Sequence, residues 1–99
     1  MRLTSFLTAL GDDVQAKTLK HYVAFKRFRN FACVEVHPMA GKITVFVRLD
    51  PQLVPLRPGF TRDVSRIGHT GSGDLEITLT SAADFEEAKP LLTKSYDVS

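Results

Sequence analysis

The segment FACVEVHPMAGKITVFVRL, Phe31 to Leu49, decides the fold of this chain. Ala32, Val34 and Val36 alternate with Phe31, Cys33, Glu35 and His37. Ile43, Val45, Val47 and Leu49 alternate with Thr44, Phe46 and Arg48, and a period of two is the mark of extended strands. Pro38-Met39-Ala40-Gly41 separates the two runs. Pairing His37 with Lys42 across it sets Val36 opposite Ile43 and Val34 opposite Val45, so both apolar sets share one face. The same register puts Phe31, Cys33, Glu35, Thr44, Phe46 and Arg48 on the other face, with Arg48 opposite Phe31. The mixed character of that face predicts partial cover.

Upstream, Val23 and Phe25 alternate with Tyr22, Ala24 and Lys26, which predicts a strand before the hairpin. Downstream, Pro51, Pro55 and Pro58 each lack the amide that a ladder needs, and Gly59 completes a loop. Leu75, Ile77 and Leu79 then alternate with Glu76, Thr78 and Thr80 as a further strand. Leu3, Phe6, Leu7 and Leu10 recur at helical spacing, with Gly11 placed as a left-handed closing residue. Asp12 or Asp13 is suited to cap a second helical stretch from Val14 to about Leu19. Arg62 to Ile67 reads as a short helix. Ser81 and Asp84 form a capping-box pattern ahead of Phe85, Ala88, Leu92 and Tyr96, and Pro90 is expected to kink that helix or restart it. The expected architecture is one α+β domain over residues 1–99: an N-terminal helix or helices, an antiparallel sheet of about four strands, a short helix before a Gly-rich turn, and a C-terminal helix on the sheet.

The bulk properties narrow the classes. A chain of 99 residues with 43% hydrophobic content buries roughly 60 to 70% of its unfolded surface, enough for a core without covalent staples. Cys33 is alone, so no internal disulfide forms, and His21, His37 and His69 are too dispersed to pair with it at metal-ligand spacing. No cofactor is implied. No apolar run approaches the roughly 18 residues of a membrane span, and MRLTSFLTAL lacks the apolar centre of a signal peptide, so a cytoplasmic protein without a membrane partner is expected. Residues 1–66 carry 11 Lys and Arg against 5 Asp and Glu, and residues 67–99 carry 2 against 6, so charge is segregated along the chain.

Two segments carry candidate chemistry. Lys17, Lys20, Lys26, Arg27 and Arg29 bring five positive charges without one acid, interleaved with Tyr22, Phe25 and Phe28. That composition suits DNA or RNA, because cations neutralise phosphates and exposed rings stack on bases. A charged edge strand and turn that keep the sheet from pairing with other molecules explain it as well. In RDVSRIGHTGSGDLE, residues 62–76, three glycines are set among polar side chains. Arg62 and Arg66 are spaced to hold an anion if the segment is helical, and they are nucleic-acid candidates with the basic segment if the two meet on one surface. His69, Ser72 and Asp74, with Arg48 from the hairpin, are the candidate ligand-binding groups. A phosphate loop needs a strand before the glycines and a helix after them, the reverse of the order here. His69, Ser72 and Asp74 include the residue types of a hydrolytic triad, but nothing in the spacing supplies a strained nucleophile or an oxyanion pocket. No residue is assigned a catalytic role.

HYVAFKRFRNFACVEVHP (21–38), KITVFVRLDP (42–51), GFTRDVSRIGHTGSGDLEITL (59–79) and FEEAKPLL (85–92) together resemble the prokaryotic family known as domain of unknown function 5655. The most specific part is GFTRDVSRIGHTGSGDLE. The resemblance implies a domain that often stands at the C-terminus of longer proteins, some of them similar to restriction-type nucleases and others labelled predicted transport proteins. It implies no catalytic residues. The order of elements also resembles the YjbR/MmcQ-like domains, related in fold to a double-wing DNA-binding architecture. These readings make a non-catalytic binding module the expected function, with nucleic acid the leading ligand. The alternative is a protein-interaction or small-molecule module on the mixed sheet face.

Overall fold

The hairpin forms in the expected register. In the computed structural model, which describes residues 2–67 and 73–99, strands β3 (Asn30–His37) and β4 (Lys42–Val47) pair antiparallel with His37 opposite Lys42, Val36 opposite Ile43 and Val34 opposite Val45. Pro38–Ala40 makes one 3-10 turn between them, and Gly41 closes it at φ 65°, the left-handed region open to glycine.

Around the hairpin stand β1 (Gln15–Thr18), β2 (Val23–Lys26), β5 (Thr61–Asp63) and β6 (Leu75–Leu79), in one antiparallel sheet of order β1-β2-β3-β4-β6-β5. The sheet therefore has six strands, two more than the sequence reading gave. Both additions replace expected helices. Residues 15–18 are strand β1, not helix, and all four are exposed, so no apolar alternation marked them. Residues 61–63 are strand β5, where Thr61 pairs with Ile77 and Asp63 with Leu75; the expected helix over 62–67 reduces to a turn closed by the Ile67 amide on the Val64 carbonyl, 3.1 Å.

Helix α1 (Arg2–Thr8) and helix α2 (Ala82–Asp97) pack on one side of the sheet. Between them and the sheet lie Leu3, Leu7, Phe25, Val34, Val45, Val47, Ile77 and Leu92. The Ser81 hydroxyl accepts from the Asp84 amide at 3.2 Å, and the Asp84 carboxylate accepts from the amide and hydroxyl of Thr80, a closed cap for α2. Pro90 lies inside α2, which runs on to Asp97 without restarting. Gly11 is not left-handed; a Cβ there would run into the Tyr96 hydroxyl and ring, so a larger residue would displace them.

The opposite side of the sheet has its own small core of Ala24, Cys33, Phe46 and Val64, edged by Leu19 and Tyr22. Two expectations for this face need correction. Its centre is covered, because Val64 and the β1–β2 turn close over Cys33 and Phe46. Phe31 has also left it. The β2–β3 ladder passes from Phe25 opposite Ala32 to Lys26 opposite Asn30, so Phe31 is the extra residue of a bulge. Its ring is buried against Tyr96 of α2, edge to face with centroids 5.3 Å apart. Val36 shows the limit of helix cover: it shares the face of Val34 but is 55% exposed.

Candidate functional site

The basic segment folds into the edge of the sheet. Lys17 lies on β1 opposite Ala24, Lys26 ends β2 opposite Gln15, and Lys20 sits in the turn between, closed by the Leu19 amide on the Tyr22 carbonyl. The next turn is closed by the Arg27 amide on the Arg29 carbonyl and carries Phe28 at its tip, 81% exposed. Lys17, Lys20, Lys26 and Arg29 are exposed, and none of them forms an ion pair with a described residue. A cleft of about 430 Å³ beside Phe28 is lined by Asp13, Gln15, Lys26 and Arg27. The sequence points to these four cations, and the fold keeps them on neighbouring strands and turns.

Arg27, the fifth candidate, has other partners. Its Nε donates to the Asp13 carboxylate at 2.9 Å, its Nη1 to the Tyr96 carbonyl at 3.3 Å, and its guanidinium lies 4.5 Å from the centre of the Tyr96 ring. The Tyr96 hydroxyl donates to the other Asp13 oxygen at 2.6 Å. That hydrogen bond first, and the Arg27 guanidinium after it, hold the Asp13 carboxyl below its usual range; the same carboxylate raises the Tyr96 phenol. Arg27 therefore joins the start of the chain to the end of α2. Asp13 and Tyr96 lie 83 residues apart, and no spacing in the sequence announces the cluster.

Arg62 and Arg66 do not join the basic edge. Arg62 lies on the same sheet face as Lys17 but on the far side of the order β1-β2-β3-β4-β6-β5. Five strand spacings separate β1 from β5, roughly 24 Å. Arg62 also donates to the Glu76 carboxylate at 3.1 Å. Arg66 is exposed in the turn after β5.

A polar cleft of about 530 Å³ opens where Gly73 and Asp74 meet the end of the hairpin, and it brings Arg48 and Asp74 together with Arg29, Asp50 and Asp63. Arg48 directs its backbone amide to the Ser95 hydroxyl at 2.9 Å and lines the cleft. The Asp63 carboxylate accepts from the hydroxyl and amide of Ser65, which lowers its pKa and makes it a weak base. Gly73 is fixed by crowding: at φ 122° a Cβ would stand 2.6 Å from the Val47 carbonyl oxygen. His69 and Ser72, the other two candidates, lie outside the described residues. The cleft offers guanidinium donors and carboxylate acceptors together, which suits a ligand with both an anionic group and hydroxyl or amine groups. Among the described residues no group of three or more His, Cys, Asp or Glu is placed to hold a metal ion, and no helix is long and apolar enough to cross a membrane.

Comparison with known proteins identifies the family. The model of the family described as Domain of unknown function (DUF5655) matches residues 1–99. The chain belongs to this family. A relative from Haemophilus influenzae, described as an uncharacterized protein, is 31% identical over 86 residues, which is 87% of this chain and 28% of that protein. The DUF5655 chain thus spans little more than a quarter of the relative it matches. No solved structure matches it.

Proposed function

We propose that this DUF5655 domain is a non-catalytic binding module that takes single-stranded nucleic acid along its β1–β2 edge. The observation that carries the reading is Phe28, an aromatic ring 81% exposed at a turn between Lys26 and Arg29. A ring this exposed leaves apolar area in water that a stacked base would cover. Nucleobases stack on such a ring whatever their sequence, while Lys17, Lys20, Lys26 and Arg29 neutralise the backbone on either side. The edge strand favours the same reading. Four exposed residues with a lysine among them resist pairing with another sheet and leave the surface free for a polyanion.

Fluorescence anisotropy with a labelled oligothymidine at low salt tests the proposal. Phe28→Ala is expected to weaken binding by about 1 to 3 kcal/mol, the range for one stacked base. Unchanged affinity in a folded Phe28→Ala protein, or no binding by the parent protein, removes it.

A second reading rests on the polar cleft. Arg29 and Arg48 border it together with three aspartates, a set suited to a small zwitterionic or hydroxylated anion. Arg29 belongs to both surfaces, so Arg48→Ala distinguishes them: it weakens a small ligand of the cleft and leaves oligonucleotide binding at the edge unchanged.

A further inference from the structure

A third cleft, of about 440 Å³, lies on the helical side of the sheet and shares no residue with the basic edge. Its floor is the cross-strand row Val36, Ile43 and Leu79, at the end of the face that α1 and α2 cover elsewhere. Leu3 of α1 and Phe85 of α2 wall this row and leave Val36 55% exposed. Arg2 and Lys42 border the cleft with His37, and among the described residues no carboxylate lines it. His37 pairs with Glu35 at 3.5 Å, whereas Arg2 and Lys42 are exposed and form no ion pair with a described residue.

We propose that this cleft binds an apolar carboxylic acid, its chain or ring on Val36, Ile43 and Leu79 and its carboxylate at Arg2 and Lys42. The volume falls within the roughly 300 to 1,000 Å³ of small-molecule sites. The two halves of the cleft together specify the ligand class. An apolar floor gains from burying hydrocarbon but does nothing for a phosphate or a sugar. Arg2 and Lys42, with no carboxylate among the described lining residues, favour a negative head group and disfavour an amine. An apolar acid satisfies both, and a neutral lipid or a bare anion satisfies one.

Methyl-resolved NMR titrations with decanoate, decanol and decyltrimethylammonium, each below its micelle concentration, test this on the 99-residue protein. Decanoate is expected to shift the methyl signals of Val36, Ile43 and Leu79 and to bind about fivefold tighter than decanol, the size of effect that two exposed charge contacts give. The Arg2→Ala, Lys42→Ala double variant should lower decanoate to the decanol affinity and leave decanol unchanged. Val36→Glu places a like charge at the partly exposed end of the floor and should abolish decanoate binding, with the signals of the β1–β2 edge unmoved as a check of folding. Equal affinity for the three amphiphiles overturns the proposal. So do decanoate shifts centred elsewhere, or none at the cleft.

Discussion

Tyr96 near the end of α2 donates its hydroxyl to Asp13 at 2.6 Å, and Asp13 holds Arg27 on its other oxygen at 2.9 Å. The bond ties the last helix to the loop that follows the first, and it sets the sign of an acid effect. Asp13, Asp63 and Asp84 are all held below the usual 3.8: by the Tyr96 hydroxyl first for Asp13, by the Ser65 hydroxyl first for Asp63, and by the Thr80 amide first for Asp84. A carboxyl depressed in the folded state adds stability that is complete above its unfolded pKa and is lost as pH falls through its folded one. Through these three groups, Tm is expected to hold near neutrality and to decline below about pH 4. Asp13→Asn should make that decline shallower. Tyr96→Phe should bring the Asp13 carboxyl back toward 3.8 in an NMR titration. Parallel Tm curves for parent and Asp13→Asn count against the account.

Gly73 and Gly41 both have positive φ but differ in what surrounds them. At Gly41, φ 65°, a Cβ would meet nothing within 4 Å, whereas at Gly73, φ 122°, it would press on the Val47 backbone at 2.6 Å. Gly41→Ala is expected to cost about 1 kcal/mol, the penalty for placing an ordinary residue in the left-handed region. Gly73→Ala adds a backbone collision and should cost more, about 2 to 4 kcal/mol. Urea denaturation of the two variants checks the order, and equal costs would show that the crowding at Val47 is relieved by a small shift.

Ser95 is fully buried, donates to the Phe31 carbonyl at 2.6 Å and accepts from the Arg48 amide at 2.9 Å. It joins α2 to the end of the hairpin, where the bulge and the end of β4 leave two backbone groups outside the ladder. Ser95→Ala is expected to cost about 1 to 3 kcal/mol, since both groups lose their partner in a buried place. Equilibrium unfolding measures it. A cost under about 0.5 kcal/mol would mean that water reaches both groups.

These positions show what the sequence could reveal. The β3–β4 register was legible because strict alternation and a four-residue turn admit one pairing, and the closing helix because Ser81, Asp84 and its apolar spacing agree. Gln15-Ala16-Lys17-Thr18 was not legible: an edge strand exposed at every residue has no apolar period, and two aspartates ahead of it imitate a helix cap. In Thr61-Arg62-Asp63-Val64, only Thr61 and Val64 are buried, and the charges between them resemble a helical face. The basic edge was readable as composition. The diversion of Arg27 was not, because its partners Asp13 and Tyr96 lie far off in sequence.

That diversion reshapes the test of nucleic-acid binding. Each phosphate neutralised by the edge releases condensed counterions, so log K should fall linearly with log salt, by about 0.7 per contact on a single strand. Lys26 and Arg29 are exposed and flank Phe28, and the Lys26→Ala, Arg29→Ala double variant should flatten the slope by up to about 1.4 without a loss of Tm. Arg27→Ala should do the reverse: its guanidinium is engaged by Asp13 and by the Tyr96 carbonyl and ring, so the variant lowers Tm and leaves the slope nearly unchanged. Arg62→Ala, at the other edge and paired with Glu76, should change neither slope nor affinity at a given salt. Anisotropy titrations of the parent and three variants at four salt concentrations, with Tm measured alongside, decide the matter. A slope that flattens equally for Arg62→Ala and for the Lys26, Arg29 pair would mean that the strand runs across the sheet, not along the β1–β2 edge.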